Sequence, residues 1–199
     1  MAQANLNQTE VRTRFLECYS NIQREGADKL LAWLNASDFF VAPASTKYHL
    51  NCEGGLALHS LNVYTRLLAL LETEKHEFPA DTVAICGLLH DICKIGVYHV
   101  EMRNKKDESG KWIQVPYYTY EDKLPYGHGE KSEYIVSKFI PSLTREESIA
   151  IRWHMGFSDP SFKGGDQSVG NAFNLYPLAT MLHLADMQAT YLDERPVAL

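Results

Sequence analysis

The chain has 199 residues, of which 45% are hydrophobic and 11% aromatic, so it is long enough to form one domain around a buried core. Its 19 basic and 25 acidic side chains give a net charge of -6. This balance argues against an extended nucleic-acid-binding surface, because such surfaces need clustered positive charge. The N-terminus lacks the apolar stretch of a signal peptide, and no apolar run approaches the roughly 18 residues of a membrane span. We therefore expect a cytoplasmic protein that contacts no membrane.

The cysteines form no metal-binding or redox pair in the sequence, since no two of them are separated by only two residues. Unpaired cysteines in a reducing compartment are typically reduced and partly buried thiols. We expect this state for Cys18, Cys52, Cys86 and Cys93.

The first half of the chain has mostly helical periodicity. Asp28 is predicted to cap the second helix. Residues 38–54 predict a loop, because Pro43 and a glycine pair interrupt the pattern. The N-terminal 45 residues are expected either to cover the core or to form part of a dimer surface, so a homo-oligomer is one expectation. The predicted helices span about 8–24, 28–34, 55–74 and 80–93.

The second half contains the one predicted strand pair. Residues 97–120 hold two β-rich runs around a polar turn with Gly110, which predicts a hairpin. Thr144 and Glu147 fit a capping box at the start of a helix. Residues 156–175 predict a long loop. Further helices are predicted over about 129–140, 144–154 and 177–193, the last with Pro177 in its first turn.

The fold class is therefore predicted to be all-α, a helical bundle with one hairpin inserted at about 97–120. We expect a single domain over residues 1–199. Within it, residues 1–45 form a helical extension and residues 46–193 form the core.

Polar groups interrupt two of the most apolar helices. His59 shares a helix face with Leu56 and Val63. The stretch TVAICGLLHDIC is apolar nearly all round, yet it carries His90 and Asp91 near its end. An unpartnered buried polar group costs on the order of a few kcal/mol, so each of these side chains needs a partner.

Three more groups of the same chemistry occur near predicted helix ends or inside a helix. His128 precedes a helix in PYGHGEKSEY, His154 ends one in IAIRWHMGF, and Asp186 lies within MLHLADMQAT. Each of them alone fits a hydrogen-bonded core residue. Together they favour a metal site, because imidazole and carboxylate suit zinc, iron, manganese or nickel better than calcium.

The segments EGGLALHSLNVY, LLHDICKIG, GHGEKS, RWHMG and HLADMQA place these residues in an order that resembles the HD-domain metal-dependent phosphohydrolase superfamily. The resemblance covers about residues 48–193 and extends to the six-ligand, binuclear branch. It implies two divalent transition-metal ions (iron, manganese, nickel, cobalt or zinc), with Asp91 bridging them. One ion would be held by His59, His90, Asp91 and Asp186, and the second by His128, His154 and Asp91.

The chemistry implied by the resemblance is hydrolysis of a phosphoester or phosphoanhydride by a metal-activated hydroxide. Asp91 and Lys94 are the expected catalytic residues, with Lys94 neutralising charge on the phosphoryl group. Lys94, Tyr48 and Arg103 are the candidate substrate-binding residues. The acidic composition favours a small phosphorylated metabolite, foremost a nucleotide, over extended nucleic acid. The alternatives are a mixed-valent di-iron oxygenase, a 3'-5' exonuclease-type phosphodiesterase and a non-catalytic nucleotide sensor.

Overall fold

The computed structural model describes residues 7–194, which form a helical bundle with one antiparallel hairpin. This confirms the predicted fold class. The α-helices are α1 (Gln8–Tyr19), α2 (Ala27–Ala36), α3 (Gly55–Glu74), α4 (Ala80–Leu89), α5 (His128–Phe139), α6 (Arg145–Trp153), α7 (Pro160–Lys163), α8 (Ser168–Leu175) and α9 (Pro177–Gln188). The strands are β1 (Tyr98–Lys106) and β2 (Trp112–Tyr120).

Helix α4 lies at the centre of the bundle. Every residue from Thr82 to Leu89 is buried, because α4 contacts α1, α3 and α6, while α9 closes the core against α3 and α6. Gly87 permits the close approach of α3, since a Cβ at this position would lie 2.8 Å from the Cα of Tyr64. The centre of the molecule is therefore formed by the helix whose end carries the His-Asp pair.

The N-terminal segment belongs to the same apolar core. Phe15, Leu30 and Leu34 are fully buried in the cluster that also holds the apolar faces of α3 and α4. Helix α1 ends at Tyr19, earlier than predicted. Asp28 is not the cap of α2, because the chain enters that helix through Gly26, which has a positive φ of 87°. The described part of this segment thus covers the core, and a dimer surface stays a prediction.

Helix α4 ends four residues earlier than the sequence predicts. His90 closes the helix, and a 3₁₀ turn follows at Ile92–Lys94. Asp91 lies between them with φ of -111° and ψ of 14°, outside the helical region. The His-Asp pair therefore lies where the helix stops, which turns both side chains out of the regular helical pattern.

The prediction of a long loop at 156–175 is wrong. This segment contains a 3₁₀ turn (Gly156–Ser158) and the helices α7 and α8. Asp159 caps α7 by accepting a hydrogen bond from the backbone N–H of Ser161 at 2.8 Å. In α8, Val169 and Ala172 pack against Trp153 in a small second apolar cluster. This tertiary contact stabilises a helix that its short, glycine-containing sequence does not predict.

The hairpin has the predicted position and turn. Tyr98 pairs with Tyr120 at its base, and Lys106 pairs with Trp112 next to the turn. Asp107 organises the turn by accepting hydrogen bonds from the backbone N–H groups of Ser109 and Lys111.

The remaining local predictions are mostly confirmed. The Thr144–Glu147 capping box is present, and Pro177 opens α9. Helix α9 ends at Gln188, and a π turn follows it over Ala189–Asp193. All four cysteines are free thiols. Within residues 7–194, no helix is long and apolar enough to cross a membrane.

A buried ion network joins the N-terminal segment to α4 and α6. The Arg24 guanidinium donates to Asp81 at 2.6 Å and to both carboxylate oxygens of Glu147 at 2.7 and 2.9 Å. Glu147 is fully buried and also accepts from the hydroxyl of Thr82. Burial acts to raise the pKa of Glu147, but the hydrogen bonds from Arg24 and Thr82 outweigh it and hold that pKa below its ordinary value.

We expect Arg24→Met to lower the free energy of unfolding by about 3 kcal/mol, because it leaves the buried Glu147 carboxylate without its cation. Urea denaturation at neutral pH measures this loss. The matched control is Lys123→Met, whose ammonium makes only an exposed 3.8 Å pair with Glu121 and should change stability by less than about 1 kcal/mol. Equal effects of the two substitutions would contradict the role of the network.

The difference between the parent and Arg24→Met should shrink as the pH falls, starting above about 4, the ordinary range of a glutamate pKa, and continuing below it. In the parent, the lowered pKa of Glu147 contributes stability above that range, and the contribution is lost as the pH falls. In the variant, protonation of Glu147 instead relieves a buried, unpaired charge. A difference that is constant with pH would contradict this account.

Candidate metal centre

Five helical segments bring the predicted metal ligands together around one buried carboxylate, that of Asp91. His59 comes from the middle of α3 and Asp186 from α9, while His128 begins α5. His90 and His154 close α4 and α6. Of these side chains, those of His59, Asp91, His128 and Asp186 border a cavity of about 650 Å³, while His90 and His154 lie fully buried behind them. All six sequence-predicted ligands therefore lie in one cluster.

The two carboxylate oxygens of Asp91 face different pairs of histidines. Its Oδ2 lies 3.3 Å from the Nε2 of His59 and 3.6 Å from the Nε2 of His90. Its Oδ1 lies 2.8 Å from the Nε2 of His128 and 3.5 Å from the Nε2 of His154. The Oδ1 of Asp186 lies 3.3 Å from the Nε2 of His59 and so joins the first pair. The cluster thus has two halves that share a single carboxylate.

His90 and His154 are held by the same local arrangement. Each closes its helix with nearly identical backbone angles, φ of -57° and -58° with ψ of -29°. The Nδ1–H of His90 donates to the carbonyl of Gly87 at 3.0 Å, and that of His154 donates to the carbonyl of Ile151 at 2.7 Å. Because a carbonyl only accepts, Nδ1 carries the proton and each Nε2 directs its lone pair at the centre.

A carboxylate orients the third histidine. The Nδ1 of His59 lies 3.0 Å from Glu194, and the amide of Asn62 holds that carboxylate by donating to it at 2.9 Å. The same Glu194 carboxylate also faces His49, whose Nε2 lies 4.0 Å from its Oε2. Acceptors behind the ring of a metal-binding histidine fix its orientation and raise its basicity.

The donor atoms fit divalent metal ions. The Nε2 of His154 is buried and has no hydrogen-bond partner among residues 7–194. The Nε2 atoms of His59 and His90 lie 3.3 Å apart, so a proton or a metal ion must lie between their lone pairs. Groups of three donors that could share an ion include His59 with His90 and Asp91, and His90 with His154 and Asp186. Imidazole and carboxylate together suit transition metals.

The charges of the cluster depend on one another. Burial lowers the pKa of His90 to about 3, so this imidazole is neutral. Burial acts to raise the pKa of Asp91, but Lys94 and the histidines around it hold that pKa well below its usual range. Burial acts to lower the pKa of His59, but Glu194 and the two aspartates raise it well above its ordinary value. The anionic surroundings therefore favour positive charge at the centre.

Lys94 and Tyr48 both reach the cavity. The ammonium of Lys94 donates to the Oδ2 of Asp91 at 2.6 Å from the 3₁₀ turn that replaces the predicted end of α4. Tyr48 is 77% exposed at the rim and is not packed in the core. Arg103 is exposed on the hairpin, where its guanidinium lies over the ring of Tyr117 at 5.1 Å. It is absent from the described lining of the cavity, and its role in substrate binding stays a prediction.

The other histidines are placed as follows. His183 lines the cavity, and its Nδ1 donates to the backbone carbonyl of His154 at 2.8 Å. His49 also lines the cavity and is half-buried. His99 and His76 are exposed.

Sequence reasoning missed Glu194 and Cys93 as members of the site. Glu194 follows the π turn at the end of α9, in a stretch without periodicity that would place it near α3. Cys93 lies two residues after Asp91, and its sulphur is 3.4 Å from the Nδ1 of His128. The only sequence signal for Cys93 was its closeness to the His-Asp pair.

The HD domain family matches this chain over residues 56–194. The match covers more than half of the 199 residues and includes all six clustered ligands. No curated protein and no solved structure shows significant similarity to the chain. The chain therefore belongs to the HD domain family, whose members bind divalent metals and are generally hydrolases.

Proposed function

We propose that the protein is a metal-dependent phosphohydrolase of the six-ligand, binuclear kind, which cleaves a phosphoester or phosphoanhydride bond of a small phosphorylated metabolite, foremost a nucleotide. The observation that carries the proposal is the position of Asp91, whose two oxygens face two separate pairs of histidines. A carboxylate in this position can bind one ion with each oxygen.

In this proposal, Asp91 belongs to both halves of the site, and each half takes one divalent transition-metal ion. His59, His90 and Asp186 complete the first half, and His128 and His154 complete the second. Ions held there supply Lewis acidity and an activated water nucleophile.

The protein groups bind and orient the substrate. Lys94 lies at the wall of the cavity beside Asp91, where its ammonium can neutralise negative charge that develops on a phosphoryl group. The rings of four tyrosines border the same cavity, and an aromatic ring can stack a nucleobase. These tyrosines are Tyr48, Tyr98, Tyr120 and Tyr191.

The charge of the cavity favours a substrate with few phosphate groups. Lys47 and Lys94 are the lysines in its described lining, which contains no arginine. Lys94 already pairs with Asp91, and Glu194 adds a negative charge beside His59. Metal ions at the centre would neutralise the phosphoryl group that they contact, but the further phosphates of a triphosphate would find few other cations in this lining. A nucleoside monophosphate is therefore the favoured substrate within this proposal.

We expect the protein loaded in turn with manganese, iron, cobalt or nickel to release phosphate from nucleoside monophosphates. Because the cavity lining offers few cationic side chains beyond the metal centre, kcat/KM should be about tenfold lower for triphosphates, which corresponds to about 1.4 kcal/mol. A panel of mono-, di- and triphosphates with a phosphate assay measures this. Absence of phosphate release with every metal would contradict the proposal. Cleavage of oligonucleotides alone would favour the exonuclease hypothesis, and oxygen consumption by the iron form would favour the oxygenase hypothesis.

Asp91→Asn should lose metal and activity together, because the amide offers one oxygen and no charge to two ions. We expect bound metal, measured by elemental analysis, to fall from about two ions per chain to fewer than one, with the helical circular dichroism spectrum retained. The matched control is Asp107→Asn in the exposed hairpin turn, which should keep the metal content of the parent. Unchanged metal in Asp91→Asn would rule out the bridging role.

Lys94→Met should lower kcat/KM by about 100-fold, because charge on the phosphoryl group would lose its cation while the apolar stem of the side chain is kept. The control Lys123→Met removes an ammonium that lies outside the cavity lining and should leave kcat/KM unchanged. Bound metal is measured for both variants. A kcat/KM equal to that of the parent, at full metal content, would remove Lys94 from the reaction.

A further inference from the structure

A free thiol lies beside the second half of the metal centre. Cys93 is 4% exposed and forms no disulfide. Its sulphur lies 3.4 Å from the Nδ1 and 3.7 Å from the Nε2 of His128. Asp91, Cys93 and His128 each offer a donor atom, and these atoms all lie within 4.8 Å of one another.

We propose that the Cys93 sulphur is a protein ligand of the ion held by His128 and His154, so that the second half of the centre is a mixed sulphur, nitrogen and oxygen site. This inference rests on the proposed two-metal function. It adds a cysteine ligand to the sequence pattern of four histidines and two aspartates.

The distances between donors support a shared ion. Zinc binds cysteine sulphur at about 2.3 Å and histidine nitrogen at about 2.0 Å, so two such ligands of one tetrahedral ion lie roughly 3.5 Å apart. The sulphur of Cys93 is 3.7 Å from the Nε2 of His128. The same Nε2 lies 2.8 Å from the Oδ1 of Asp91. Nitrogen, sulphur and oxygen donors are thus grouped around one position.

The backbone holds Cys93 in this place. Its N–H donates to the hydroxyl of Ser132 at 3.2 Å, which ties the 3₁₀ turn to α5, the helix that His128 begins. Asp91 lies two residues earlier, immediately before this turn. A shift of the Cys93 backbone away from α5 would therefore break a contact between two elements that both supply ligands.

The Nε2 of His154, which is buried and has no hydrogen-bond partner in the part of the chain that the structure describes, is a second and independent sign of an ion in this half. It lies 3.5 Å from the same Oδ1 of Asp91. With Cys93, the second half has four donors: one sulphur, two imidazole nitrogens and one carboxylate oxygen. A soft sulphur donor favours zinc, iron, cobalt or nickel over magnesium or manganese. The two halves should accordingly differ in metal preference.

His128 also allows a different role for the thiol. The other three clustered histidines have an oxygen acceptor at Nδ1, whereas the described hydrogen-bond contact of the His128 Nδ1 is the Cys93 sulphur. The thiol would then orient the ring without binding metal. A spectroscopic measurement separates this role from direct ligation.

The test uses the full chain loaded with cobalt(II). We expect about two cobalt ions per chain and a near-ultraviolet charge-transfer band, which arises only when a thiolate sulphur binds cobalt. Cys93→Ser should abolish the band and weaken binding of the second ion about tenfold or more. The control Cys18→Ser changes a thiol on α1, away from the cavity lining, and should match the parent in both measurements.

Two cobalt ions without the band, or a band that persists in Cys93→Ser, would overturn the proposal. Weaker second-ion binding in Cys93→Ala, rescued by Cys93→Ser, with no band in the parent, would assign the thiol to orientation instead. If the parent binds fewer than two ions, the two-metal function itself fails together with this inference. X-ray absorption of the zinc-loaded parent detects a sulphur ligand without any substitution, so the test does not depend on the folding of the variants.

Discussion

The structure depends on how a buried carboxylate is balanced. Asp91 is removed from solvent at the centre of the bundle and lies within 3.6 Å of four imidazole Nε2 atoms and the Lys94 ammonium. An isolated charge in such a place is strongly disfavoured. The bundle therefore needs cationic or hydrogen-bonding groups around the two carboxylate oxygens of Asp91. Five segments of the bundle place such groups there.

Helix ends do much of this work. The last carbonyls of an α-helix lack partners within the helix, and at α4 and α6 the closing histidine donates to one of them three residues earlier. One hydrogen bond thus completes the helix and fixes the imidazole with its Nε2 pointing inward. Since α4 and α6 pack against each other, the two ends deliver their rings to opposite oxygens of the same carboxylate. The packing of α4 against α6 thus places the two closing histidines on opposite sides of Asp91.

The fold was predictable where one local signal dominates. The period of α3 placed His59 on its buried face, and the capping box placed the start of α6. Helix α8 was not predictable, because its stability comes from contact with Trp153 on α6. Likewise, the family resemblance named the six ligands, but no sequence signal relates Glu194 to His59 across 135 positions. The groups that orient ligands and the end points of helices are set by tertiary packing, and these are the features that sequence reasoning missed.

The π turn after α9 shows how such an orienting group is placed. Asp186 and Glu194 both face His59, one at Nε2 and the other at Nδ1. A regular helix turns about 100° per residue, so positions eight apart are offset by about 80°. The wider turn at Ala189–Asp193 changes this register, while Arg66 and Asn62 on α3 bind Asp193 and Glu194. Residues 186–194 thereby contact both ring nitrogens of His59. Because an acceptor behind a metal-binding histidine raises its basicity, this segment also sets the basicity of His59.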